Sequence, residues 1–308
     1  MQMQWRGVMP AMTTAFDENL NINHAFVGRH ARWLIENGCT AIIAPGSLGE
    51  SATLSFDEKI ALWFTLIDAV GERAPVVAAI ASLSTAEAVA LAKRAAQVGC
   101  RGLMVLPPYV YRSDWREMKA HVEAVFRATN LSCMLYNNPV AYGTDFLPEQ
   151  ISELAAAHEN FAAVKESSTD VRRITWIRAL TGDRLDISVG VDDAIVEGIA
   201  AGAVGWVAGL VNALPKESVA LFDYALKGEH DKARELYQWF LPLLRLDTVP
   251  KFVQLIKLVQ AEVGMGSTRT RPPRLELIGA ELEDARRVIR QALETRIELS
   301  TSSAARNP

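Results

Sequence analysis

The run FAAVKESS at 161–168 carries an apolar stretch up to a single lysine, Lys165, and then turns polar. An amine partly removed from water loses stabilisation of its charged form, so its pKa falls and it becomes a nucleophile able to attack a carbonyl and form an imine. Alternation along AAVKES sets Lys165 on the face opposite Val164 and Glu166. Taken alone, the segment fits equally well a solvated lysine or one paired with Glu166. Imine formation also needs a proton carrier within hydrogen-bond reach, and a phenol can serve. LPPYVYR brings Tyr109 and Tyr111 to the end of one apolar run, and LYNNP brings Tyr136 to the end of another, followed by two amides and a stiffening proline. Each tyrosine by itself is more simply a packing residue with a satisfied hydroxyl. PGSLGES at 45–51 offers two glycines, a hydroxyl and consecutive backbone N–H groups, the makings of an anion nest, without the lysine and spacing of a P-loop. Lysine, phenol and nest are mutually useful for a carbonyl compound that carries a carboxylate.

These residues belong together only if the chain folds them to one place. Eight short runs recur along it: GVMPAMTTAF from residue 7, then segments at 39–46, 74–82, 101–109, 131–139, 161–167, 185–190 and 203–209. Most are continuously apolar, as expected of parallel strands covered on both faces, and amphipathic helical patterns separate them. Ser55 followed by Glu58 marks one helix start as a capping box. The order predicts an α/β fold, a (β/α)8 TIM barrel, and the absence of a G-x-G-x-x-G fingerprint near the start argues against an open doubly wound sheet. In such barrels the strand C-terminal ends build the site, and Lys165, Tyr136, Tyr109 and Ser47 all follow or end such runs. The predicted division is a barrel over 1–225 and a C-terminal helical extension over 226–308, packed beneath the barrel or used in oligomerisation, with SSAARNP as a frayed tail.

Composition narrows the function. Of 308 residues, half are apolar and 22% charged, with a formal net charge of −4. That balance gives no electrostatic pull toward nucleic acid or anionic lipid. No stretch has the length of a membrane span or the layout of a signal peptide, so the reading is a cytoplasmic protein without nucleic-acid or membrane partners. Cys39, Cys100 and Cys133 share no ligand spacing and read as small buried hydrophobes. The five histidines are dispersed, read as surface residues, and no metal site is expected.

GSLGES, LYNNPVAYG and VKESS together resemble the carboxylate loop, the YN-P segment and the Schiff-base lysine segment of the dihydrodipicolinate synthase and N-acetylneuraminate lyase family of class I aldolase barrels. The resemblance runs from about residue 6 through the helical extension. It implies Lys165 as nucleophile, Tyr136 as acid or base, and Ser47 with Tyr109 as a proton relay. It also implies Ser47 and the amides of Leu48 and Gly49 as the carboxylate site, with Gly190, Gly209 and Asn212 lining the mouth. No metal or organic cofactor is required, and a homodimer or homotetramer is ordinary for the group. Two departures bear on substrate. Ala141 stands where synthases usually carry an arginine for a second carboxylate, and Leu48 replaces a second threonine. Val140, Tyr142, Val191, Val207 and Leu210 make the expected mouth narrow or apolar. The expected substrate is a compact 2-oxo or cyclic imino acid with one carboxylate, and the leading expectation is a 1-pyrroline-4-hydroxy-2-carboxylate deaminase that removes ammonia and water. The alternatives are a pyruvate-dependent aldolase, a 4-hydroxy-tetrahydrodipicolinate synthase, or a non-catalytic 2-oxo acid-binding barrel.

Overall fold

The computed structural model describes residues 3–109 and 111–299; the stretch read as a tail lies outside them. All eight expected strands form: β1 (Gly7–Pro10), β2 (Ile42–Ala44), β3 (Val76–Ile80), β4 (Gly102–Val105), β5 (Ser132–Asn137), β6 (Phe161–Glu166), β7 (Asp186–Val189) and β8 (Gly205–Ala208). They are shorter than the apolar runs because each run continues into the loop beyond its strand. The helices of the barrel are α1 (His24–Glu36), α2 (Phe56–Val70), α3 (Thr85–Val98), α4 (Trp115–Phe126), the short α5 (Pro139–Tyr142), α6 (Pro148–Ala157), α7 (Arg172–Thr181), α8 (Ile195–Ala200) and α9 (Pro215–Leu226). Three more follow: α10 (His230–Leu244), α11 (Phe252–Glu262) and α12 (Gly279–Glu294).

The sheet is parallel throughout and runs β1-β8-β7-β6-β5-β4-β3-β2. A parallel bridge between Ala11 and Ile43, with the Met12 N–H donating to the Ile43 carbonyl at 2.9 Å, completes the ring. Continuous burial along β2, β3, β4 and β8 follows from helices outside and packed side chains inside. Local signals act as expected at several helix starts. Ser55 caps α2 in a reciprocal box with Glu58, and Asp114 does the same for α4 with Glu117.

At the junction of α10 and α11, residues 247–250 and 252 reach the C-terminal mouth of the barrel. One expectation is corrected: the histidines are not all at the surface, since His30, His121 and His158 are buried. Each sits on or beside a helix face turned to neighbouring elements. His30 lies against the Asn212 carbonyl at 2.8 Å, and burial pushes its pKa down to about 4, so it is neutral. All three cysteines are buried, as their apolar surroundings suggested. Among the described residues no helix is long and apolar enough to cross a membrane.

One buried ion pair fastens the extension to the barrel. Lys257 on α11 donates to Glu50 at 2.5 Å, with side chains 3% and 0% exposed, and to the Arg269 carbonyl at 2.6 Å. Glu50, in a left-handed conformation, also accepts from the Arg271 N–H at 2.9 Å. Removing one partner strands the other charge in the interior, so Lys257→Ala should cost about 3–5 kcal/mol. Equilibrium urea denaturation measures this, and a cost of under about 1 kcal/mol would mean that the pair fixes nothing.

Candidate active site

Strand register assembles the site. Tyr136 on β5 pairs with Lys165 on β6, and Lys165 pairs with Ser188 on β7, so their side chains form one row inside the mouth. The Lys165 amine lies 4.2 Å from the centroid of the Tyr136 ring. Gly190 leaves room for it, because a Cβ there would strike the Lys165 side chain and the Ser167 hydroxyl. A cavity of about 420 Å³ opens above this row. Its walls include Ser47, Leu48, Tyr136, Asn138, Ala141, Tyr142, Lys165, Gly190, Gly209 and Asp247.

Glu166 is not the partner of Lys165. It points to the other face of β6, where Asn137 donates to it at 3.1 Å and the Ser168 N–H at 2.7 Å. Asn137 in turn joins Asp145 and Phe146, and Asp145 is gripped by both terminal nitrogens of Arg173, at 2.6 and 2.7 Å. The salt-bridged reading of the strand end therefore fails on alternation. Lys165 instead has two carboxyls near it, the buried Asp192 and the half-buried Asp247. Burial lowers its pKa to about 8, and those two carboxyls resist the fall. Asp192 sits just after β7 and accepts from the Trp206 indole at 3.0 Å and from the Gly209 and Leu210 N–H groups at 3.1 and 2.7 Å. Burial still lifts its pKa to about 6, against those donors and Lys165.

The phenols are arranged differently from the expected Ser47–Tyr109 relay. The Ser47 hydroxyl bonds the hydroxyl of Tyr142, whose ring packs edge-on against Tyr136 at 5.8 Å. Tyr109 stacks obliquely on Tyr142 at 5.6 Å, behind it rather than against Ser47. Tyr142 reaches this place because Pro139 and the Asn138 cap, which accepts from the Ala141 N–H at 2.9 Å, wind α5 directly after β5. Burial raises the pKa of Tyr136 to about 12 and that of Tyr142 further, so both are protonated donors.

The 45–51 loop holds its shape with bonds from Glu50 N–H to Ser47 and from Ser51 N–H to Gly46, each 3.1 Å. Among the described residues, the N–H groups of Leu48 and Gly49 have no backbone acceptor, which leaves them for an anion. Gly49 is needed for closeness, since a Cβ would lie 2.7 Å from the Met12 carbonyl. Asn212 is not at the mouth. It is fully buried, donates to the Ala11 and Gly209 carbonyls at 2.8 Å, accepts from Thr13, and so braces β1 against β8. Leu210, expected at the mouth, is also wholly buried. Gly209 is at the wall, and a Cβ on it would strike the Asp247 carboxyl.

Tyr142, Asp192 and Asp247 are thus site residues that the sequence reading passed over as such. The strand-end rule points to Asp192, two residues beyond Gly190, and Tyr142 was counted only as bulk. Asp247 lies in a helical stretch far along the chain and has no local signal. Among the described residues, no group of three or more His, Cys, Asp or Glu could hold a metal.

Comparison with known proteins agrees with the geometry. The profile of the Dihydrodipicolinate synthetase family matches residues 4–292. The chain is 31% identical over 300 residues to the 4-hydroxy-tetrahydrodipicolinate synthase of Desulforudis audaxviator, covering 95% of this chain and 99% of that one. It is 36% identical over 231 residues to the synthase of the same name from Natronomonas pharaonis, covering 75% and 78%. The crystal structure of a dihydrodipicolinate synthase from Bacillus anthracis superimposes with a TM-score of 0.90 at 29% identity, covering 94% and 99%.

The lowered pKa of Lys165 sets a pH dependence. Below about 8 the amine is increasingly protonated and cannot attack; above it the neutral form predominates. The value of kcat/KM should therefore rise by about tenfold per pH unit and level off near 8. A limb still rising above pH 10 would mean an amine in ordinary solvent.

Proposed function

Since the chain belongs to the dihydrodipicolinate synthetase family, and is an enzyme with the family's class I Schiff-base lyase and aldolase chemistry, we propose that Lys165 forms the imine with a small 2-oxo acid. The observation that carries this reading is the buried amine, opening into the cavity beside Tyr136 with its pKa near 8. The 2-oxo acid carboxylate lies on the Leu48 and Gly49 amides and the Ser47 hydroxyl. Lys165 Nζ attacks C2, and the C2 oxygen leaves as water after taking protons from the Tyr136–Tyr142–Ser47 side of the cavity. The resulting iminium withdraws electrons from C3, which loses a proton to give an enamine. That enamine can attack an aldehyde carbon or expel a leaving group from C4.

Condensation is the first reading of the next step, because the relatives matched over most of their length are named 4-hydroxy-tetrahydrodipicolinate synthase. One observation favours a second reading. Ala141 lines the mouth, and among the described lining residues Lys165 is the only Lys or Arg, so none of them offers a further cation for a second carboxylate. A partner or substrate with a single carboxylate fits that wall, as does deamination of 1-pyrroline-4-hydroxy-2-carboxylate with loss of water. The relatives' names favour the first reading, and the wall favours the second.

Borohydride treatment with pyruvate, hydroxypyrroline carboxylate and longer 2-oxo sugar acids, followed by peptide mass spectrometry, tests the imine. The expected adduct is confined to Lys165 and absent from Lys165→Ala; turnover without an adduct at Lys165 would defeat the reading. Product analysis in the same reactions separates condensation from deamination. Ala141→Arg should raise kcat/KM for aspartate semialdehyde, relative to an aldehyde without a carboxylate, by about 10- to 100-fold, the worth of one charge-assisted hydrogen bond. An unchanged preference would show that this wall does not select the partner.

A further inference from the structure

Asp247 has no task in the steps above, yet its carboxyl ends in the cavity. It comes from the junction of α10 and α11, not from a barrel strand, and lies against the end of β8 at Gly209. Around the ring β8 stands two strands from Lys165 on β6, on the side away from β5 and its phenols. Lys165 is therefore flanked by phenols on one side and a carboxyl on the other.

The surroundings decide which carboxyl carries a proton. Asp192 accepts three N–H donors, an arrangement that suits a carboxylate. Asp247 Oδ1 is sealed from solvent and has no hydrogen-bond partner among the described residues. The charged and titratable groups facing Asp247 are Asp192 and Asp193 after β7, Lys165 on β6 and Tyr136 on β5. Burial, and then Asp192, hold its carboxyl well above the usual carboxylate range, while Lys165 opposes them. Two neighbouring carboxyls do not readily ionise together, and Asp247, whose inner oxygen has no donor among the described residues, is the one placed to keep the proton.

We propose that Asp247 is a general acid that delivers its proton to the oxygen on C4 of the bound imine-forming substrate. The proposal rests on Lys165 as the imine lysine. In condensation, the enamine carbon bonds to the aldehyde carbon, the C=O electron pair moves to oxygen, and that oxygen takes the Asp247 proton. In elimination, the enamine pair forms the C3–C4 double bond and the C4–O bond breaks, the oxygen leaving as water with the same proton. In either case Asp247 becomes a carboxylate as the lysine nitrogen becomes an iminium cation, so the net charge of the site is unchanged while each new charge stabilises the other. One residue thus serves both readings of the reaction, and it is supplied by the extension.

The test compares wild type with Asp247→Asn on 4-hydroxy-2-oxobutanoate and 4-fluoro-2-oxobutanoate. Fluoride leaves as the anion and needs no acid. Borohydride trapping at Lys165 and exchange of C3 hydrogens in deuterated water report the steps before C4 reacts; they also show that the variant site is intact. The variant should still trap, exchange and release fluoride, and its loss on the hydroxyl compound should exceed its loss on the fluoro compound by about 10²- to 10⁴-fold. Equal losses on both compounds, hydroxyl turnover at the wild-type rate, or a wild type that releases fluoride but never acts on the hydroxyl would each overturn the proposal. So would loss of the Lys165 adduct in the variant alone, which would make Asp247 the electrostatic partner of the amine. Absence of an adduct in wild type is a different failure, that of Lys165 as the imine lysine.

Discussion

Everything at the mouth of this barrel depends on how an amine is kept out of water beside two carboxyls. Desolvation alone would strip Lys165 of its proton, and a nearby carboxylate works to restore it. The balance is set by how each carboxyl is held. Asp192 is fixed in place by the Trp206 indole and the Gly209 and Leu210 amides, whereas Asp247 meets no donor at its inner oxygen. The cluster therefore holds its amine near the pH at which a cell works. Gly190 and Gly209 are part of the same arrangement, since a methyl on either would collide with the group it borders.

The barrel supplies the row of Tyr136, Lys165 and Ser188 by register, but a barrel alone does not complete the site. The extension contributes Asp247 directly and steadies the anion nest through Lys257 and Glu50. Glu50 directly follows the Leu48–Gly49 amides, so its buried pairing fixes the backbone that would hold a carboxylate. Packing of the last helices and geometry of the 45–51 loop are in this way one structural problem.

The architecture was legible in the sequence because burial on both faces leaves a plain record: eight apolar runs, each ending where a loop begins. Lys165, Tyr136 and Ser47 were legible for the same reason, since their positions at strand ends narrowed their directions to the mouth. The Ser47 partner was not, because choosing between Tyr109 and Tyr142 depends on the path of α5 after Pro139. Asn212 was misplaced because a polar residue just past a strand reads the same whether it faces a substrate or, as here, ties two strands together. Asp247 had no signature at all: it is brought to Lys165 by the fold of helices more than 80 residues along the chain.

The central claim is a physical one about a single amine, and it is tested most directly by carbon-13 NMR of the protein labelled at the lysine ε-carbons, with Lys165→Ala used to assign the resonance. The expected result is a Lys165 resonance titrating near pH 8, well below the other lysines, in the absence of any substrate. A resonance titrating at the ordinary lysine value near 10.5 would contradict the account, because the cavity would then hold a cation and not a nucleophile.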